Sequence, residues 1–577
     1  MLWAVVLLVI GLSAPSLSAD FYTDDQVMVL AMDGVAPPVI PGPFQLYTFM
    51  SGAPGERDRL VTESQVPWWT VDGIRLAFCR PLSSALLTLD HAIAGRRPLF
   101  YHLHSLAWYG AAAVAAALLF RRLLPEREAA LAALLFASAP AHWMLAAWPS
   151  ARHVAISGTF TILALWLHVE ARQRSRAWRV GPALLCAIGA LAGGETALAV
   201  FAYVAAYELF ARDDALAQRL RALLPWAALL LSYAVLYRAF HFGVRGAGAY
   251  LDPLTTPANY ARALPARTLV YAAAALLGVP SEISVLTARA VPVLAGLGVF
   301  AALTFAALFR RAQRALVPNT RRTLRWLLIG ALLALLPGLA SIPGDRVLFL
   351  PNLAIAPALS VVLLHAGARG QHALSTLLAR AGVALYALVH GLLGPLWFAY
   401  NAQQLAATSH TALAAAQHAE IPARPGVQVV GIGLSDPLIG MYLASALYLA
   451  PRPEPRPESV RLLSMSAHDQ RVLRVNERTL EITVQNGALL EDDLEILFRA
   501  PDFPLEVGDR LPPANWTVRV LEAAHGRPSR FSVEFDRSVD DPSLVFLIWQ
   551  NGALRALHVP PIGVATLVKH ELGPMGF

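Results

Sequence analysis

The chain has 577 residues, of which 56% are hydrophobic and only 15% charged, and its mean hydropathy is +0.51. Soluble globular proteins carry about 25% charged residues, so a simple water-soluble enzyme is excluded. The net charge of +7 comes largely from arginines clustered between apolar blocks, a topology signal and not a nucleic-acid-binding face. Cys79 and Cys186 lie in a polar loop and an apolar block, which gives no basis for a disulfide framework or a cysteine metal site.

In chain order, apolar stretches long enough to cross about 30 Å of hydrocarbon as helices fall at 2–17, 103–120, 129–147, 153–169, 181–193, 195–210, 223–240, 291–309, 326–342, 347–365 and 381–400. The first ends in Ser16-Leu-Ser-Ala19, which resembles a cleavage site, but no positive residues precede it, so a retained helix is expected. With the amino terminus inside, the clusters at Arg121–Arg127, Arg172–Arg179, Arg212–Arg221, Arg310–Arg325 and Arg369–Arg380 all fall in cytoplasmic loops, as the positive-inside rule requires. This holds if the stretch 269–279 does not span, so 241–290 is expected to be an outer loop carrying a short helix on or in the membrane surface.

Three domains follow: a transmembrane domain over 1–400, with a first outer loop at 18–102; a helical and Pro-rich connector at 401–458; and a β-rich domain at 459–577, all outside after the last span. Pro451-Arg-Pro-Glu-Pro-Arg-Pro-Glu458 suggests a stiff spacer. Alternating or β-branched segments at 478–484, 516–520, 531–535 and 543–549, separated by turn residues, predict strands.

With this topology the informative acidic residues near the membrane are all on the outer side. They are Asp24 and Asp25 after the first helix, Glu195 in Gly193-Gly-Glu-Thr196, and Asp345 beside Arg346 in Pro343-Gly-Asp-Arg346. A carboxylate at the mouth of an apolar bundle suits proton acceptance from a hydroxyl, and an arginine at that level suits a phosphate on a lipid-borne donor. Against this stand bland readings: Asp24 and Asp25 as a solvated loop start, and Asp345 with Arg346 as an interfacial charge pair. His102 and His104 lie two apart on a helix and point to different faces; with His142 and His153 they form no recognisable ligand spacing, so no metal and no cofactor are expected.

These motifs, in order, resemble a known family. The series is Asp24-Asp25, Arg80-Pro-Leu-Ser-Ser84, Gly95-Arg-Arg-Pro-Leu-Phe-Tyr-His102, Ala147-Trp-Pro-Ser-Ala-Arg152, Gly194-Glu195 and Asp345-Arg-Val-Leu-Phe-Leu-Pro351. It is similar, over about residues 1–400, to the membrane region of the C-type (GT-C) glycosyltransferases, and within them to O-mannosyltransferase-like proteins whose membrane domain precedes tetratricopeptide repeats. The resemblance implies an all-α polytopic bundle of about eleven helices that takes a sugar from a polyprenyl-phosphate donor. Transfer would proceed with inversion to an envelope lipid, glycan or protein acceptor. It assigns the general base to Asp25 ahead of Asp24, donor and site positions to Glu195, Asp345 and Arg346, and further polar positions to Arg80, His102 and Arg152. The expected setting is the bacterial inner membrane with a periplasmic tail, contacting the lipid bilayer and no nucleic acid.

The sequence departs from the family at Met144 and Val154, where acids are usual, at Gly194, where lysine is usual, and at Ser105, where asparagine is frequent; the repeats are replaced by the β-rich tail. The alternatives are an inactive scaffold or binding protein of the same fold and a transporter of a lipid-linked substrate.

Overall fold

The computed structural model describes residues 1–35, 42–368, 372–511 and 516–576; Arg369, placed above in the last arginine cluster, lies outside them. The chain forms two compact units. The first comprises 1–19, 78–241 and 256–406, and the second comprises 20–77, 242–255 and 407–577.

The first unit is helical. Every apolar stretch expected to span contains helix, because runs of Leu, Ala and Val satisfy their backbone internally. Among the described residues, five helices are long and apolar enough to cross a membrane: Pro98–Leu123, Pro149–Gln173, Leu216–Ala239, Ala288–Gln313 and Ala373–Gln417. Glu126–Ala137 and Pro140–Ala147 make a sixth if the 49° bend between them lies within one span, and Leu2–Ser18, Val180–Gly193 and Asn352–His365 are shorter apolar helices. The chain is a multi-pass membrane protein, and its eleven apolar stretches are thus not eleven equal spans.

The helix expected near 269–279 is Pro257–Leu277, twenty-one residues long. It lies tightly against Val291–Gln313, since a Cβ added at Gly298 would run into the Leu269 carbonyl oxygen. Small residues permit such backbone approach between apolar helices.

Several arginines of the clusters are held by buried acids rather than left in solvent. Arg122 Nε and Arg179 Nη1 reach Glu170 at 2.5 and 2.9 Å. Arg172 clamps Glu208 at 2.7 and 3.0 Å and Asp214 at 2.7 Å.

The second unit weaves three distant segments together. β1 (Thr48–Ser51), β2 (Arg75–Ala77) and β3 (Gly243–Arg245) form an antiparallel sheet in that order. β4 (Gln428–Gly431) and β5 (Ser459–Leu462) are parallel, with the helix Leu443–Leu449 between them in the chain. Beyond these come β6 (Gln470–Arg474), β7 (Thr479–Val484), β8 (Arg510–Leu511), β9 (Trp516–Ala524), β10 (Arg527–Phe535), β11 (Leu544–Gln550), β12 (Ala553–Ala556) and β13 (Ala565–Val568). One sheet runs β13-β6-β7-β10-β9-β8 and another β12-β11-β4-β5. Alternation in β7 turns Leu480, Ile482 and Val484 inward.

Trp68 and Trp69 plug this core: Trp68 Nε1 donates to Leu463 O at 2.9 Å, Trp69 Nε1 to Glu495 O at 3.2 Å, and the Trp68 ring lies 5.4 Å from Phe531. The Pro-rich run is no free spacer. Arg452 donates to the carbonyls of Ala416, Gln417, Ala419 and Ile421, capping the carboxyl end of the helix Gly394–Gln417, where a cation is favoured.

Candidate functional site

In the first unit, the turn after Val180–Gly193 presents Glu195. Ser83 Oγ donates to Gly193 O at 2.7 Å and Ser157 Oγ to Gly194 O at 3.2 Å, which fixes the turn. Glu195 Oε2 accepts from Arg80 Nε at 2.8 Å; Oε1 accepts from Cys79 N at 2.9 Å and from the Tyr237 hydroxyl at 3.4 Å. The Arg80 guanidinium also lies 4.5 Å from the Phe78 ring centre. Glu195 thereby orients Arg80.

His153 lies beside Gly194 and Arg80. Its Nδ1 is 2.9 Å from Ser150 O, so that nitrogen is the donor and Nε2 carries the lone pair. The guanidinium groups of both Arg80 and Arg346 are near enough to act on this ring.

Arg346 lies close enough to Glu282 and Asp345 to act on both carboxyls. Its Nη1 points to Met144 Sδ at 3.9 Å, and it makes no ion pair among the described residues. Asp345 is occupied structurally: it is 4% exposed and accepts from Ser281 N and Oγ at 2.9 and 2.7 Å, while its own N–H donates to Glu282 Oε1 at 2.7 Å. Burial and the adjacent Asp345 push the Glu282 carboxyl well above the carboxylate range, so this pair favours retaining a proton. Glu282, missed from the sequence, sits in Pro280-Ser-Glu282, and only tertiary contact reveals it.

Arg152 stands apart, fully buried with Nη1 2.6 Å from Asp90 Oδ2. Asp90 Oδ1 meets His104 Nδ1 at 2.6 Å, and Trp108 Nε1 donates to His104 Nε2 at 2.9 Å. Arg152 Nη1 also lies 2.6 Å from His104 Nδ1, so Asp90, His104 and Arg152 form one tight cluster. His102 is buried near the Ala19 and Ala147 backbones. Asp90 also escaped sequence reasoning, as a lone acid in the helix Pro81–Ala94.

In the second unit, Asp24 and Asp25 open the helix Asp24–Asp33, where carboxylates are favoured by the helix dipole. The Tyr442 hydroxyl donates to Asp24 Oδ1, and Tyr22 N donates to Asp25 Oδ2 at 3.3 Å. Asp25 is 4% exposed. Burial, Asp436 and Asp25 raise the Tyr22 hydroxyl, which stays protonated. Among the described residues, no three His, Cys, Asp or Glu are grouped to hold a metal ion.

No family model matches the chain, and no curated protein matches it. Among solved structures it is similar to the oligosaccharyltransferase of Archaeoglobus fulgidus tethered to an acceptor peptide, at 14% identity over 74% of this chain and a TM-score of 0.37; it spans 63% of that protein's length. It is also similar to ArnT from Cupriavidus metallidurans. The apo form aligns at 16% identity over 78% of this chain and 84% of that one, with a TM-score of 0.39. The form bound to undecaprenyl phosphate aligns at 16% identity over 76% and 87%, with a TM-score of 0.36.

Proposed function

We propose that the protein is an integral-membrane glycosyltransferase moving a sugar from a polyprenyl-phosphate donor to an acceptor of the bacterial envelope, with inversion, on the periplasmic face. The observation that carries this reading is Arg346. It is a guanidinium that makes no ion pair among the described residues, although Glu282 and Asp345 lie close enough to feel it, near His153, in a unit of apolar helices. A phosphate on a lipid tail needs such a cation next to apolar surface. In the reaction, the acceptor oxygen bonds to the anomeric carbon as the bond to the donor phosphate breaks. The leaving electron pair stays on the phosphate, whose charge Arg346 meets, and the acceptor proton passes to a carboxylate base. For that base the resemblance offers Asp25 ahead of Asp24.

The test compares envelope glycans, glycolipids and glycoproteins by mass spectrometry in cells lacking the protein, complemented with wild type, Arg346→Gln or Asp25→Asn. A sugar-mass difference that returns only with wild type is expected, with Arg346→Gln slowed by about 10²–10³-fold, the effect of losing one charge-stabilising donor. Full restoration by both variants would overturn the proposal.

A further inference from the structure

The second unit contains a cavity of about 290 Å³ that none of the preceding chemistry uses. It lies at the small end of the roughly 300–1,000 Å³ range of ligand sites, with room for one ring-sized group. Ile496, Phe503 and Pro504 supply apolar wall, while Arg499 and Arg527 supply its charge and His525 a polar ring; no carboxylate lines it among the described residues.

Arg499 is the central group. It is 8% exposed, and its Nε and Nη1 donate to Trp69 O at 2.5 Å and Phe503 O at 3.0 Å. Its Nη2 carries no hydrogen bond, and the side chain no ion pair, among the described residues. Burial, then Arg57, lowers the Arg499 guanidinium to about 10 while Asp509 opposes the shift; still charged at neutral pH and hydrogen-bonded only to carbonyls, it calls for an anion. The opposite wall is rigid. His525 and Gly526 form the β9–β10 turn with φ of 53° and 74°, a turn geometry that suits glycine. A Cβ at Gly526 would lie 2.8 Å from Pro504 Cα, and Leu505 N donates to Gly526 O at 3.0 Å. The cavity is thus formed before a ligand arrives, which lowers the cost of binding.

We propose that this cavity binds the oxyanion of a small ring-bearing anion, a sugar acid or a sugar phosphate, with Arg499 and Arg527 meeting the charge and Phe503 and Pro504 the ring. The anion site stands on the cavity alone, and the choice of a sugar ring rests on the glycosyltransferase reading.

Calorimetry on the full-length protein in detergent tests it, with glucuronate, glucose 6-phosphate, glucose and inorganic phosphate as probes. At least one charged sugar is expected to bind about 10-fold or more tighter than glucose, as charge-assisted hydrogen bonds require, and tighter than phosphate alone. Whether glucuronate or glucose 6-phosphate binds better separates a sugar acid from a sugar phosphate. The Arg527 side chain makes no hydrogen bond or ion pair among the described residues, so Arg527→Gln should keep the wild-type melting temperature yet lose about 10-fold in affinity for the charged sugar. Equal binding of glucose, equal binding of bare phosphate, no binding of either charged sugar at millimolar concentration, or an unchanged Arg527→Gln would each overturn the proposal.

Discussion

Asp90→Asn should destabilise the membrane unit more than its single atom change suggests. Arg152 and Asp90 side chains are 1% and 9% exposed, joined at 2.6 Å, and Arg152 Nε and Nη2 have no hydrogen-bond partner. Asp90 is its only ion-pair partner among the described residues. Asparagine keeps the side-chain shape but leaves a buried guanidinium uncompensated, a loss of about 3–5 kcal/mol when one partner of a buried pair is removed. At roughly 2–4 °C per kcal/mol, and less for larger folds, the melting temperature should fall by about 5–10 °C. Heating the detergent-solubilised protein and following the surviving monodisperse fraction by size-exclusion chromatography measures this. Asp90→Leu combined with Arg152→Met removes both charges and should recover most of the loss, because well-packed apolar pairs match or exceed buried ion pairs. An Asp90→Asn protein melting within about 1 °C of wild type, or a double variant no better than the single, would refute the reasoning.

Gly298→Ala should cost about 1–3 kcal/mol through overpacking against the Leu269 backbone. Gly296→Ala on the same helix, where an added Cβ meets nothing within 4 Å, should be neutral or stabilising by up to about 1 kcal/mol; equal melting shifts would remove the helix-contact argument. Glu495 in the second unit is 1% exposed, and burial, then Asp492, pushes its carboxyl up to about 8. The folded form therefore binds a proton that the unfolded chain releases near its lower, ordinary pKa. Stability is fully present below that unfolded value and falls as pH rises to about 8, by at most about 1.4 kcal/mol per pH unit. Glu495→Gln should flatten this slope in melts between pH 5 and 8, and an unaltered slope would show that another group sets it.

The helices were legible because apolar run length is a local property, and the strands at β7, β9, β10 and β11 because alternation and turn residues are local too. What stayed hidden was set by partners far away in the chain. Asp90 acquires meaning only from Arg152, sixty-two positions on, and Glu282 only from Asp345. The parallel pairing of β4 with β5 and β11 leaves no periodic signature in such short strands. Arginine clusters carried a topological message and concealed a structural one, since the acids that hold Arg122, Arg172 and Arg179 sit within apolar helices. The Pro-rich run suggested an extended spacer because proline stiffness is visible, whereas the four carbonyls that Arg452 gathers are not.

The tryptophan plug sets a clock on biosynthesis. Trp68 waits for Leu463, 395 residues later, and Trp69 for Glu495, 426 residues later. At synthesis rates of about 5–20 residues per second, that interval is roughly 20–85 s. Throughout it, the two indole rings lack their final partners in the tail, while the intervening helices are threaded into the bilayer. The nascent segment is therefore a natural client for holding chaperones, and closure of this plug requires the chain to have been made at least as far as Glu495.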